Sequence, residues 1–321
     1  IVIIFAAIPF TFLYNIVSGV IRALGDSRTP VIFLVISSIV NIGLDLFFII
    51  VLKLGVAGAA WATAIAQVVA GGGCLWDMIK KFDILHIRKD EWAVNAHMMG
   101  SLCAMGVPMG LQYSITAIGS MVMQSANNGL GSTYVSAFTA AMKIKQFTMC
   151  PFDAIATSAS VFCSQNLGAG QSDRIKKGLR CGITVGVGYG IAAGILLIFA
   201  GRTLSMLFVG KSAVAVLDAS AKYLRCMGFF YWSLGILNVA RMVTQGLGYS
   251  GRAVFSGVTE MIARTVVCLG FVGTFGFTAI CFADQTAWIT ATCYIFPTCL
   301  WCIRKSTKML ASIAVRVNNA S

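Results

Sequence analysis

The chain has 321 residues, of which 58% are apolar and only 11% charged, and its 24 Lys and Arg against 11 Asp and Glu give a formal charge of +13. A charged share far below the roughly 25% of soluble domains, with a mean hydropathy of +0.85, excludes an ordinary soluble fold. The long apolar runs lack the one-sided stripe of a soluble helical core, and the alternating segments of about ten residues that build a membrane barrel are missing.

Nine runs are near the roughly 20 residues a helix needs to cross a bilayer. In chain order they cover about 1–21, 31–52, 56–79, 99–124, 132–162, 178–200, 220–246, 253–274 and 279–303. The predicted fold class is all-α, a polytopic membrane helical bundle. Pro108 and Pro151 fall inside two runs, where each removes a backbone hydrogen bond. Gly178, Gly182, Gly186, Gly190 and Gly194 recur every fourth residue, a smooth stripe against which a neighbouring backbone can pack.

Residues 22–46 and 245–269 are two copies of one pattern, 223 positions apart. Leu24, Gly25, Ser27, Val31, Val35, Ile39 and Leu46 match Leu247, Gly248, Ser250, Val254, Val258, Ile262 and Leu269, and Asn15 falls on Asn238. Internal repeats of apolar spans point to a transporter, whose substrate site forms between the repeats. Three runs precede the second copy within its half, so three more are expected before Ile1, and the chain reads as a fragment. The expected whole is two parallel six-helix repeats. Residues 1–79 are then the last three helices of the first lobe, 80–98 a cytoplasmic link, 99–303 the second lobe and 304–321 a cytoplasmic tail.

The charge is distributed by side. If each run crosses once, one side collects Arg22, Arg28, Lys80, Lys81, Arg88, Lys89, Arg174, Lys176, Lys177, Arg180, Arg252, Arg304, Lys305, Lys308 and Arg316. The other holds Lys53, Arg202, Lys211, Lys222 and Arg225. This asymmetry assigns the first side, and the C-terminus, to the cytoplasm of a multi-pass cell-membrane protein. It also accounts for the basic balance without nucleic acid, for which no basic, aromatic-rich patch is present.

Ionisable groups inside the spans are the candidate site residues, because a charge in lipid is costly. Asp45 has Asn41 one turn before it; Glu260 and Arg264 stand at i and i+4 in the corresponding span of the second copy, a spacing that lets them pair. Lys143 and Lys145 lie near the middle of 132–162, with Lys143 the harder to explain by reaching an interface, whereas Asp153 and Arg241 are expected to snorkel. Gln112 adds hydrogen-bonding capacity, with Gln124, Asn127 and Gln146 as further polar contacts between helices. The eleven Cys are scattered through the spans as small apolar fillers, and Cys299 and Cys302 form one Cys-x-x-Cys without a second pair for zinc. Both His lie in the basic link, and no metalloprotease, Walker or nucleophile-elbow motif occurs, so an enzyme is not expected.

Arg22-Ala-Leu-Gly-Asp-Ser-Arg-Thr-Pro30, Asn41-Ile-Gly-Leu-Asp45 and Leu54-Gly-Val-Ala-Gly-Ala-Ala60, in this order, resemble the multidrug and toxic compound extrusion (MATE) transporters. So does Gln165-Asn-Leu-Gly-Ala-Gly-Gln171, and Gln245-Gly-Leu-Gly248, Glu260-x-x-x-Arg264 and Ala283-Asp-Gln-Thr-Ala-Trp288 resemble the bacterial, DinF-like branch of the family. The resemblance covers about 9–305 and implies a twelve-helix antiporter with two lobes around a central cavity. It implies export of small organic, often cationic, compounds driven by inward proton or sodium flow, with no cofactor beyond the coupling cation and the lipid bilayer as its setting. Two rival readings are a lipid-linked oligosaccharide flippase of the same wider superfamily and a passive channel or non-transporting scaffold.

Overall fold

The computed structural model describes residues 2–82, 95–210 and 213–318. These form nine helices: α1 (Val2–Ala23), α2 (Arg28–Leu46), α3 (Gly55–Lys81), α4 (Ala96–Asn128), α5 (Ser132–Gly168), α6 (Ser172–Ser205), α7 (Val214–Gly246), α8 (Ser250–Phe275) and α9 (Phe277–Asn318). A π-helical stretch, Phe47–Val51, extends α2. The chain divides into two compact units, residues 1–94 and 95–321. Most of the link read over 80–98 lies outside the described residues, although α3 and α4 run into its two ends. Residues 304–318, read as part of a tail, continue α9 without a break.

Eight of the nine described helices are long and apolar enough to cross a membrane; α5 is the exception. It is 37 residues long but carries Lys143, Lys145 and Asp153. Its apolar deficit is made up by burial, since Phe138, Ala141, Ile144, Phe152 and Ala156 are all within the core. On the helices of the first unit the large apolar side chains mostly point outward, Ile32, Ile39, Ile50 and Trp61 among them. In water such surface would be a liability, whereas in lipid it is the expected exterior.

The internal repeat is a repeat of structure. After α1, the Gly25 N–H donates to the Arg22 carbonyl (3.0 Å) and the Asp26 N–H to the Ile21 carbonyl (3.2 Å). After α7, 223 positions on, the Gly248 N–H donates to Gln245 (2.9 Å) and the Tyr249 N–H to Thr244 (3.1 Å). This paired closure of a helix end is a Schellman motif, which needs a left-handed residue just past the helix. Gly25 (φ +95°) and Gly248 (φ +88°) supply it. The packing also repeats: α3 lies against both α1 and α2, which scarcely touch, as α9 lies against α7 and α8.

The second unit is built around α7, which packs on α5, α6 and α9. The glycine stripe of α6 meets glycines of α7: a Cβ on Gly235 would lie 2.5 Å from the Gly186 backbone, and one on Gly228 2.6 Å from the Gly194 carbonyl oxygen. Main chains approach here as closely as they do at small-residue membrane interfaces. The one substantial core of this unit includes Phe138, Phe152, Tyr223, Tyr231 and Trp288.

Candidate functional site

Five charged side chains from four helices form one buried chain of alternating sign in the second unit. Lys145 of α5 pairs with Asp284 of α9, whose second oxygen accepts from Nε of Arg264 on α8 at 3.0 Å. Arg264 also pairs with Glu260 one turn away, Nη2 to Oε2 at 3.2 Å. The other oxygen of Glu260 accepts from Nη2 of Arg241 on α7. Arg241 donates further to Ser256 Oγ (3.0 Å), and the Tyr223 hydroxyl donates to Asp284 (2.6 Å). Side-chain exposure is 8% at Lys145, 0% at Asp284, 4% at Arg264, 3% at Glu260 and 11% at Arg241. With so little water, each charge depends on its neighbours, and loss of one member strands another.

The sequence-derived candidates separate into three groups. Lys145, Glu260 and Arg264 lie in the chain of charges. Gln112 is buried beside α8, where its side-chain oxygen accepts from Gln245 Nε2 at 2.5 Å; a Cβ on Gly257 would stand 3.1 Å from the Gln112 side chain. Lys143 is separate: it is exposed, with its ammonium 5.5 Å from the Phe208 ring centre, near the end of α6. Helical spacing explains the contrast with Lys145, because two residues advance a side chain by about 200° to the far side of the helix. Asn41 and Asp45 are in the first unit, half-buried and just before the π-helical stretch. Both Asn41 Nδ2 and Asp45 Oδ1 are shielded from solvent without a hydrogen-bond partner.

Arg241 corrects its sequence reading. It does not snorkel to an interface but turns inward, because Glu260 and Ser256 lie across the α7–α8 contact. Asp153, exposed on α5, is near enough to interact with its charge. Asp284 and Tyr223 were not singled out as site residues. Asp284 had a visible signal: it is an acid within the otherwise uncharged run 279–303.

A family model, MatE, matches residues 108–270, just over half of the chain. The chain belongs to the MatE family. The matched stretch contains Gln112, Lys145, Arg241, Glu260 and Arg264. Among similar proteins is the probable multidrug resistance protein YpnP of Bacillus subtilis (strain 168), 31% identical over 249 residues, which are 76% of this chain and 54% of YpnP. Another is the FAD transporter of Shewanella oneidensis, 26% identical over 71% of this chain and 51% of its own length. This MatE chain spans about half the length of the curated relatives it matches. A MATE crystal structure in the bent conformation superposes with a TM-score of 0.87 at 19% identity, covering 96% of this chain and 69% of the other. An outward-facing multidrug resistance MATE family transporter gives 0.85 at 20% identity, covering 91% and 66%. At that identity the likeness is one of fold. It agrees with the all-α, membrane-spanning architecture read from the sequence.

Proposed function

We propose that this MatE chain is part of a secondary active antiporter. It exports small organic, often cationic, compounds in exchange for protons or sodium ions, by alternating access between its two lobes. The observation that carries the coupling assignment is the contrast between the acids. Asp284 and Glu260 are each held by two cations, so neither is free to take up an entering ion. Asp45 has a shielded oxygen without a partner, and Asn41 beside it offers a further polar atom. A carboxylate in a membrane span without a cationic partner is a natural site for an entering cation. The adjoining π-helical stretch is a second support, since such stretches are frequent at functional sites. The plainer role for Asp45 is to anchor the end of its helix near Lys53. The basic loops and the C-terminus face the cytoplasm in this reading.

The test is efflux of a cationic dye from proteoliposomes holding the full-length protein, driven by a proton or a sodium gradient. Asp45→Asn keeps the shape and removes the charge, so coupled efflux falls sharply while the protein still folds. Unchanged efflux with wild-type pH and sodium dependence would remove Asp45 from the mechanism. A second reading, export of anionic compounds, is favoured by the one excess positive charge of the buried five-residue chain (three cations, two acids). The similar FAD transporter makes flavin adenine dinucleotide the natural competing cargo in the same assay.

A further inference from the structure

Two cavities follow one another along the seam between α6 and α9. The outer one, about 530 Å³, lies near the start of α6 and is lined by Lys176, Trp301, Arg304, Lys305, Thr307 and Lys308. The inner one, about 700 Å³, is mainly apolar, with Ile183, Ile236, Phe296 and Pro297 in its walls and Arg180 at its rim. Their order is fixed by helical spacing. Lys176, Arg180 and Thr184 descend α6 in steps of four, and Lys305, Trp301, Pro297 and Cys293 descend α9 in the same steps. The two helices run antiparallel here and touch little, which leaves the groove open.

The outer cavity is built to receive an anion. Four cationic side chains converge on it, while the acid beside them, Asp173, is 88% exposed and 3.5 Å from Lys176. The Thr307 hydroxyl oxygen is buried there without a hydrogen-bond partner. Trp301 is held in place by the Arg252 guanidinium, 3.9 Å from its ring centre, and the Lys305 ammonium at 5.1 Å. An indole among cations at the end of an apolar run is typical of the headgroup level of a bilayer. The inner groove excludes a merely water-soluble anion as the best fit. From Lys305 to Cys293 is twelve residues, about 18 Å of helix, close to the half-thickness of a hydrocarbon core of about 30 Å.

We propose that this seam is a binding site for an anionic phospholipid, with its phosphate among Lys176, Arg304, Lys305 and Lys308 and one acyl chain in the groove below. Basic pockets between membrane helices on the cytoplasmic side recognise such headgroups, and this is the side to which the charge asymmetry assigns these residues. The site does not depend on what the protein transports.

The test uses delipidated full-length protein in a neutral detergent, with bound lipid read by native mass spectrometry and by shift in melting temperature. Three probes are compared: dioleoylphosphatidylglycerol, dioleoylphosphatidylcholine and glycerol phosphate. The anionic lipid is expected to bind at least tenfold tighter than the zwitterionic one, and glycerol phosphate not to bind at the same concentrations. Combined R304Q, K305Q and K308Q, all at exposed positions, should abolish the preference, and K308Q alone should weaken it. Cys293→Trp fills the groove and should weaken both lipids alike. Equal binding of the two lipids, a preference that survives the triple variant, or glycerol phosphate binding as tightly as the lipid would each overturn the proposal.

Discussion

Lys145 and Asp284, 139 positions apart in sequence, form an ion pair sealed from solvent between α5 and α9. Tyr223 donates to the same Asp284 oxygen, and Arg264 to the other. Removing the acid leaves two cations in a region shielded from solvent. Asp284→Asn is therefore expected to cost about 3–5 kcal/mol. Asp284→Asn combined with Lys145→Met should recover part of that loss, because the more dependent cation is gone. Unfolding of the detergent-solubilised variants measures both. A double variant as unstable as the sum of the singles would show that the pair is not coupled.

Glu260 serves Arg241 and Arg264, yet the two arginines differ in what else they have. Arg264 keeps Asp284 when Glu260 is neutralised, whereas Arg241 keeps Ser256 and the more distant charge of Asp153. Glu260→Gln with Arg241→Gln should therefore be more stable than Glu260→Gln with Arg264→Gln, which also deprives Asp284 of a partner. The reverse order in a thermal-unfolding series would contradict this assignment of dependence.

Gly235 allows the α6 and α7 main chains to approach, and Gly235→Ala places a methyl group 2.5 Å from the Gly186 backbone. Backbone cannot rotate away as a side chain can, so the helices must part. A loss of at least about 1–3 kcal/mol is expected, against a slight effect at Gly188, where nothing lies within 4 Å. Equal melting temperatures for the two alanine variants would argue against the close seam.

Asp26 closes the start of α2 from the hinge. Its carboxylate accepts from the Arg28 and Thr29 N–H groups at 2.9 and 3.1 Å and from the Thr29 hydroxyl at 2.7 Å. The Thr29 hydroxyl and backbone bonds hold its pKa below the ordinary carboxylate value. A lowered folded pKa gives stability that is complete above the unfolded pKa of about 3.9 and is lost as pH falls through the folded one. Asp26→Asn should flatten the acid limb of a melting-temperature profile by lowering the neutral-pH melting temperature towards the acid value, and a variant that keeps the wild-type acid limb would remove Asp26 as its source. Asp26→Ala should cost about 1 kcal/mol at neutral pH.

Lys53 takes φ +53°, and 223 positions later Gly276 takes φ +55°. A positive φ at this point is supplied by glycine in one copy of the repeat and by lysine in the other. Relief of the side-chain clash should make Lys53→Gly more stable by up to about 1 kcal/mol. A lower melting temperature would indicate that the lysine side chain has a compensating contact.

The helices and the repeat were legible because both are written locally, in charge-free length and in the Leu-Gly-x-Ser hinge whose glycine must turn left-handed. Glu260 and Arg264 were legible as a pair for the same reason, four residues on one helix. The longer ladder was not. Whether Lys143 or Lys145 faces the core depends on which side of α5 meets α7, and apolarity all round conceals that side. Arg241 acquires its role only when helices meet, and Asp284, although conspicuous as an acid in an otherwise uncharged run, shows its partners only then.

The uneven character of α5 also bears on how the chain is made. Alone among the described helices it is too polar to be held in lipid by its own composition, and the acid that neutralises Lys145 belongs to the last helix. During synthesis α5 is therefore expected to lodge fully in the membrane only once α9 has emerged to neutralise Lys145. A chain stopped after α8 would keep an unmatched lysine and be a target for membrane quality control. One stopped just past the end of α9 would not.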